Sequence, residues 1–340
     1  MNQSYDAILI VSFGGPEAMD EVMPFLENVL RGKNVPPERM RAVSHHYEMF
    51  GGVSPINSQN RTLIAALEKE LKKNGPALPV YWGNRNWHPM LSDTLRRMKD
   101  DGVKNALAFF TSAYSSYSGC RQYRENILRA QEEVGTGAPQ VEKLRAFYNH
   151  PGFIGPNVEN LLSALDRIPE ERRGRAQIAF TAHSIPLSMA ANCDYEAQLR
   201  ETCRLVAEGA GHQNWRLVFQ SRSGPPSQPW LGPDICDYLT ELKEAGTEDV
   251  VVAPVGFISD HMEVLYDLDT EARALCDKIG LNMIRASTVG AHPDFVKMIR
   301  ELIMERMDPG IPRRSLGTFG PRQDFCATDC CLPGTRPASA

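Results

Sequence analysis

The segment Phe257-Ile258-Ser259-Asp260-His261-Met262-Glu263 reads as a strand end, a turn and the start of a helix. A helix beginning near Asp260 sets Glu263, Asp267 and Glu271 at i, i+4 and i+8, one acidic stripe on one face. Like charges at that spacing cost a helix about 0.2–0.5 kcal/mol per pair. The sequence has no Lys or Arg between Ser259 and Glu271 to offset them. Carboxylates headed by His261 suit a hard or borderline cation, or a proton being removed. Asp260-x-x-Glu263 also reads as a capping box. That explains those two residues but not Asp267 and Glu271, which lie where the helix dipole gives less help. His183 ends the apolar stretch Ile178-Ala179-Phe180-Thr181-Ala182 and precedes Ser184-Ile185-Pro186. It is either a metal ligand or proton acceptor, with an ordinary pKa of about 6.5, or a loop histidine bonding a local carbonyl. A partner such as Glu263, at another strand end of the same half, favours chemistry.

Of eight cysteines, Cys193, Cys203, Cys236, Cys276 and Cys120 are scattered, whereas Cys326, Cys330 and Cys331 crowd the C-terminal end. A reducing cytosol argues against a disulfide framework. Cys326-x-x-x-Cys330-Cys331 offers three soft ligands of the kind zinc and iron–sulfur sites use. Cys120, beside Tyr117-Ser118-Gly119, is the candidate fourth. The alternative is a redox-labile tail. Residues 220–226 and 229–233 form a Pro/Gly-rich connection around Trp230, either a rigid loop or an aromatic wall for a flat ligand. Arg31, His45, His46, Tyr47, Arg85 and Tyr123 are candidates to receive carboxylates from such a ligand.

These groups need a frame. Apolar runs at 5–12, 79–82, 106–111 and 143–148 predict strands in the first half; those at 176–181, 216–220, 249–255 and 282–286 predict strands in the second. Helical patterns lie between them at 56–73, 90–99, 122–133, 194–208, 233–243 and 267–278. Strands alternating with helices mean parallel βαβ units. The expected fold is therefore α/β, two similar doubly wound halves, residues 1–150 and 151–307. A Pro-, Gly- and Cys-rich extension follows at 308–340. Ligands of such sheets bind beyond the carboxyl ends of the strands, where Ser12-Phe13-Gly14-Gly15-Pro16, the Ser112–Ser118 stretch, the His183 loop and the Glu263 loop fall. The first lacks a GxGxxG spacing, so no dinucleotide fingerprint is supported.

With 340 residues and 42% apolar content, the chain buries a sizeable core. A net charge of -5 argues against nucleic acid as the main partner. No apolar run is long enough to cross a bilayer. The N-terminus lacks the basic and apolar regions of a signal peptide, so a cytoplasmic protein is expected.

Phe13-Gly14-Gly15-Pro16, the Tyr47 to Ile56 segment, Gly83-Asn84-Arg85 with His88-Pro89, Ala182-His183-Ser184-Ile185-Pro186, Gln220-Ser221 with Pro229-Trp230-Leu231, and Ser259-Asp260-His261-Met262-Glu263 stand in the family order of ferrochelatases. The chain resembles that family over nearly its whole length. The resemblance implies two Rossmann-like halves with a porphyrin cleft between them, and a lyase that inserts ferrous iron during haem synthesis. It implies His183 and Glu263 across the metal position, with Asp267 and Glu271 as an acidic path. Phe13, Arg31, His46, Tyr47, Ser54, Tyr123, Trp230 and Phe257 are the implied porphyrin contacts, with Ile258 beside them and Met23-Pro24-Phe25-Leu26 at the cleft mouth. Phe13 stands where some bacterial members carry Tyr, and a phenyl ring cannot ligate iron. Cys120, Cys326, Cys330 and Cys331 fit the layout of a [2Fe–2S] cluster. The general look is that of members acting on coproporphyrin III, with protoporphyrin IX the rival. An iron-delivering or haem-accepting protein is a further expected partner. The competing readings are a tetrapyrrole or metal carrier and a cobalt or nickel chelatase. The latter usually relies on additional cleft histidines, and only His183 and His261 lie in the second-half loops.

Overall fold

The computed structural model describes residues 4–32, 35–225 and 227–334. The first three residues, Lys33 and Asn34, Pro226 of the Pro/Gly-rich loop and the last six residues of the extension lie outside it. Two compact units are present, one comprising residues up to 111 with 122–144 and 299–312, the other 112–121, 145–298 and 313 onward.

The first unit is built on the parallel sheet β2-β1-β3-β4, with β1 Ala7–Ser12, β2 Val80–Asn84, β3 Asn105–Phe110 and β4 Gln140–Lys143. Every residue of β1 is buried, as expected for a central parallel strand covered on both faces. The expected fourth strand at 143–148 is displaced. The ladder pairs Asn105 with Gln140 and Ala108 with Lys143, so the polar edge segment forms the strand. Leu144, Phe147 and Tyr148 are buried just beyond it. Helix Ile56–Asn74 buries Leu63, Leu67 and Leu71 and ends at Gly75. In Met23-Pro24-Phe25-Leu26 the first two residues are exposed and the last two are buried. Phe25 and Leu26 are buried with Val22 in a small core against Tyr47 and Trp87, and of the four only Met23 is an exposed large hydrophobic.

The second unit repeats the plan as β6-β5-β7-β8, with β5 Gln177–His183, β6 Trp215–Gln220, β7 Asp249–Ala253 and β8 Asn282–Arg285. The chain leaves β5 for β6 on one side and returns to β7 on the other. The β5/β7 boundary is therefore the point where strand order reverses, and the crevice beyond it is where such sheets bind ligands. Its geometry depends on Gly256. The Gly256 amide donates to Thr181 O at 2.9 Å, and a Cβ there would stand 2.6 Å from the Ala182 Cα and Cβ. Only a residue without a side chain lets the loop after β7 lie against the end of β5.

Gly256→Ala is expected to cost about 1–3 kcal/mol and to lower the thermal midpoint by several degrees. Gly155→Ala, in helix Pro151–Leu165 with nothing within 4 Å of its added Cβ, is expected to leave the midpoint unchanged or raise it. Parallel thermal unfolding of both variants checks this.

Candidate active site

The β5 end and the post-β7 loop bring together two side chains eighty positions apart in sequence. His183 Nε2 lies 3.3 Å from Glu263 Oε1. Both side chains keep part of their surface open, 32% and 43% respectively, so a ligand can reach them. The other ring nitrogen, Nδ1, is bonded to Ser184 O. A carbonyl only accepts, so Nδ1 carries the hydrogen. Any proton the ring gives up must then leave from Nε2, which frees that lone pair on the Glu263 side. Tyr195 OH donates to His183 O at 3.0 Å and steadies the strand end.

The helix after Glu263 differs from the expected one. Residues Val264–Ala272 form a π-helix before the α-helix Arg273–Ile279 begins. π-Turns are rare and concentrate at functional sites. The capping-box reading of Asp260 does not hold. The Glu263 carboxylate faces His183, and it is His261 Nδ1 that accepts from the Glu263 amide, at 3.1 Å. Asp260 instead meets Arg285 at 3.2 Å, and Asp269 meets the same guanidinium at 2.6 Å. The cation missing from the local sequence thus arrives from β8. It pairs with both Asp260 and Asp269, whereas Glu263 finds its counter-charge in His183.

Asp267 is held from β6. Ser221 Oγ donates to its carboxylate, and Gln220 Nε2 reaches both Glu263 O at 3.0 Å and Asp267 Oδ2 at 3.4 Å. Ser221 has φ of 62°, a left-handed conformation uncommon for a residue with a side chain. Only the Gln-Ser pair ending a strand marks this role in the sequence.

The electrostatics follow from burial and pairing. Burial disfavours the His183 imidazolium, but the Glu263 carboxylate outweighs it, aided by Ser184 O and Asp267, and the pKa rises to about 9. Burial pushes Glu263 up, and the His183 charge and hydrogen bond pull it down to about 2. Asp267 lacks such a cation. Burial and then the Glu263 charge raise it to about 7. Glu271, at the exposed end of the stripe, is raised by burial and by Asp234. His261 is lowered by burial.

The other expected contacts are distributed as follows. In the first unit, Phe13 is 36% exposed and packs edge-on to Phe25, as does Tyr47. The Arg85 guanidinium lies 5.7 Å from the Phe13 ring and 4.6 Å from the Tyr123 ring. Tyr123 itself is core-packed. Ser54 is buried against Gly15, and Arg31 is exposed. Burial lowers the His46 imidazole, and Arg39 and His45 lower it further. In the second unit, Phe257 and Ile258 are buried, Phe257 in the core beneath Val264 and Leu268. They offer a ligand little surface and support the loop from below. Trp230 lines a cavity of about 150 Å³ with Ser184, Phe219, Leu231 and Asp234. That is below the roughly 300 Å³ at which small-molecule pockets begin and far too small for a tetrapyrrole.

No disulfide joins any of the eight cysteines. Cys330 Sγ and Cys331 Sγ stand 3.3 Å apart, close to the roughly 3.7 Å between two thiolates on one tetrahedral metal with bonds of about 2.3 Å. Burial, then Cys330, Cys193 and Cys326, push the Cys331 thiol up to about 12. The donor chemistry suits an iron–sulfur centre. No group of three or more metal-binding side chains is assembled among the described residues, and no described helix is long and apolar enough to cross a membrane.

A family model described as ferrochelatase matches residues 5–307. The chain belongs to the ferrochelatase family. It is 60% identical over 329 residues to a ferrochelatase of Rhodopirellula baltica, covering 96% of this chain and 93% of that one. It is 50% identical over 360 residues to the coproporphyrin III ferrochelatase of Streptomyces coelicolor, covering 99% and 96%. Among solved structures, SirB from Bacillus subtilis with Fe3+ superposes with a TM-score of 0.57 at 12% identity, covering 89% of this chain and 96% of that one. At that identity the likeness concerns the fold.

A raised His183 pKa means that the ion pair stabilises the fold fully below about pH 6.5. That stabilisation is lost as pH rises through about 9. Glu263, whose pKa is lowered, contributes above its ordinary 4.5 and loses the contribution as pH falls through about 2. In Glu263→Gln the carboxylate is gone and burial remains, so the imidazole is expected to titrate below its ordinary value. An NMR titration of the His183 ring in both proteins checks the sign.

Proposed function

We propose that the porphyrin accepted by this ferrochelatase is coproporphyrin III, with protoporphyrin IX the second choice, and that the enzyme works in the cytoplasm. The substrate choice is supported by relatives named coproporphyrin III ferrochelatase, 48–50% identical over more than 90% of both chains in Streptomyces coelicolor and Mycolicibacterium smegmatis. The proposed division of labour gives residues 151–307 the metal chemistry, and the observation that carries it is the open His183–Glu263 pair at the point where strand order reverses.

The reaction exchanges one Fe2+ for two pyrrole N–H protons. Before it, His183 and Glu263 share one proton as imidazolium and carboxylate, so His183 is not the first base. Glu263 accepts a porphyrin proton. That removes the anion holding the imidazolium charged, and His183 sheds its own proton from Nε2 towards Asp267, leaving a neutral nitrogen donor for iron; Glu263 hands its proton on by the same route, accepts the second pyrrole proton and passes that on too, so three protons reach solvent in a turnover and one returns to restore the imidazolium. Asp267, whose pKa of about 7 lies at the operating pH, takes a proton and passes it towards Glu271 at the exposed end. Matching a relay group to ambient pH maximises both its availability and its readiness to release. Ser221 and Gln220 fix the relay carboxylate and do not touch the reacting atoms.

Cys120, Cys326, Cys330 and Cys331 would hold a [2Fe–2S] cluster, which when bound supplies one-electron redox chemistry. Its support is the donor chemistry of the tail; the cluster serves no step above.

His183→Ala and Glu263→Gln are each expected to abolish anaerobic iron insertion, followed by the haem spectrum, with porphyrin binding by fluorescence quenching near unchanged. Wild-type turnover in either would refute the assignment. Asp267→Asn is expected to lower kcat by about 10²-fold or more and to flatten the kcat–pH profile near neutrality. Ser221→Ala should shift that inflection with a smaller loss in kcat. Coproporphyrin III should give a higher kcat/KM than protoporphyrin IX, and the reverse order would overturn the substrate proposal.

A further inference from the structure

Glu263 stands on a stretch of chain that secondary structure does little to fix. Residues 254–261 lie in no strand or helix. The π-helix Val264–Ala272 that follows has wider turns than an α-helix. This stretch is tied to both outer strands of the sheet β6-β5-β7-β8. On the β6 side, Gln220 Nε2 donates to Glu263 O and Ser221 Oγ to the Asp267 carboxylate. On the β8 side, Arg285, the last residue of the strand, spreads one guanidinium over two carboxylates. Its Nη1 and Nη2 donate to Asp260 Oδ1 and Oδ2, each at 3.2 Å, and its Nε donates to Asp269 Oδ1 at 2.6 Å. Asp260 precedes Glu263 and Asp269 follows it, so a single planar group holds the chain on either side of Glu263. The strand end that carries Arg285 is itself fastened. The Ala286 amide donates to Val252 O at 2.9 Å and the Gly290 amide to Ile258 O at 2.8 Å. Asn160, on helix Pro151–Leu165, donates to Ser287 O and Thr288 O at 3.0 and 3.1 Å.

We propose that Arg285 is a positioning residue: by gripping Asp260 and Asp269 together it fixes the course of the chain between them, and with it the place of the Glu263 carboxylate opposite His183. It acts through Glu263 and carries no proton of the reaction. The shape of the group matters as much as its charge. A guanidinium offers donors in a rigid fork, so two of them take one carboxylate while a third, at a fixed angle, takes another. A lysine ammonium is a compact point charge on a flexible stem and cannot hold that arrangement. Without any cation there, two carboxylates brought to one spot repel each other and the stretch opens. A displacement of about 1 Å at a reacting group costs on the order of 10²-fold in rate, so a small loosening at Arg285 is felt at Glu263. The side chains of Arg285, Asp260 and Asp269 are 18%, 23% and 31% exposed, which leaves a small ion a way in.

The proposal rests on the reading of Glu263 as the acceptor of porphyrin protons, and its test separates the two. Arg285→Lys and Arg285→Ala of the full-length chain are compared with Arg172→Met. The last removes another guanidinium–carboxylate contact of the same unit, 3.2 Å from Arg172 to Asp249 at the start of β7. All are assayed below their thermal midpoints. Arg285→Lys is expected to lower kcat by about tenfold to 10²-fold with the KM for porphyrin near unchanged. Arg172→Met should lower the thermal midpoint and leave kcat as in the wild type. Millimolar guanidinium should restore activity to Arg285→Ala in a saturable manner, and ammonium at equal ionic strength should not. Equal rescue by the two ions shows that charge alone suffices and overturns the proposal. Position is read separately, without substrate, from the nuclear Overhauser contact between the His183 ring and the Glu263 methylene protons. That contact is expected in the wild type and in Arg172→Met, and should be lost in Arg285→Lys. Its persistence in Arg285→Lys overturns the proposal. Its loss with kcat unchanged upholds the hold on Glu263 and refutes the part given to Glu263 in the reaction.

Discussion

Burial opposes both charges at the strand-order reversal of the second sheet, and each is ionised because the other is. His183 and Glu263 form a single electrical object, an imidazolium and a carboxylate 3.3 Å apart that retain access to solvent. Much of the unit serves to make that object possible. The crossover puts β5 beside β7, Gly256 lets the following loop close on Ala182, and the Nδ1–Ser184 bond turns Nε2 towards the carboxylate. Arg285 removes the competing anions Asp260 and Asp269 from the local balance. Glu263 and Asp267 are then the carboxylates that act on His183, and only Glu263 is bonded to it.

The pair also sets the character of its neighbour. Asp267 shares the acidic stripe but has no cation of its own, and the fixed Glu263 charge adds to burial in raising it. Two carboxylates one helical turn apart thus acquire very different proton affinities, because one faces an imidazolium and the other a hydroxyl. Divergent environments acting on similar groups are the usual route by which one site holds both a strong and a weak acid.

Much of this was legible in the sequence, for identifiable reasons. Central parallel strands such as β1, β3 and β7 carry near-continuous apolar runs, the pattern of strands covered on both faces. The apolar pattern puts β4 too late because the polar edge segment Gln140–Lys143 pairs while the more apolar residues after it are buried as irregular chain. The acidic stripe was readable because spacing by four survives a widening of the turn. The π-helix was not, since an extra residue per hydrogen-bonded ring leaves little mark on the pattern. His183 and Glu263 each had a bland local explanation, and only the adjacency of β5 and β7 makes them a pair. Ser221 stands out in the sequence only within the Gln220-Ser221 motif, because a left-handed serine has no compositional signal, and Arg285 leaves no mark because its carboxylates lie 16 and 25 positions away.

The two donors that face each other at the β5/β7 crevice are an imidazole nitrogen and a carboxylate oxygen, a borderline and a hard ligand. Such a set binds divalent ions of the first transition row in the ordinary order of rising affinity, with zinc and copper above iron. Nothing in the donors themselves ranks Fe2+ first. On the proposed reading, in which this pair receives the iron, preference for Fe2+ has to come from which ion is supplied to the crevice rather than from the two donors.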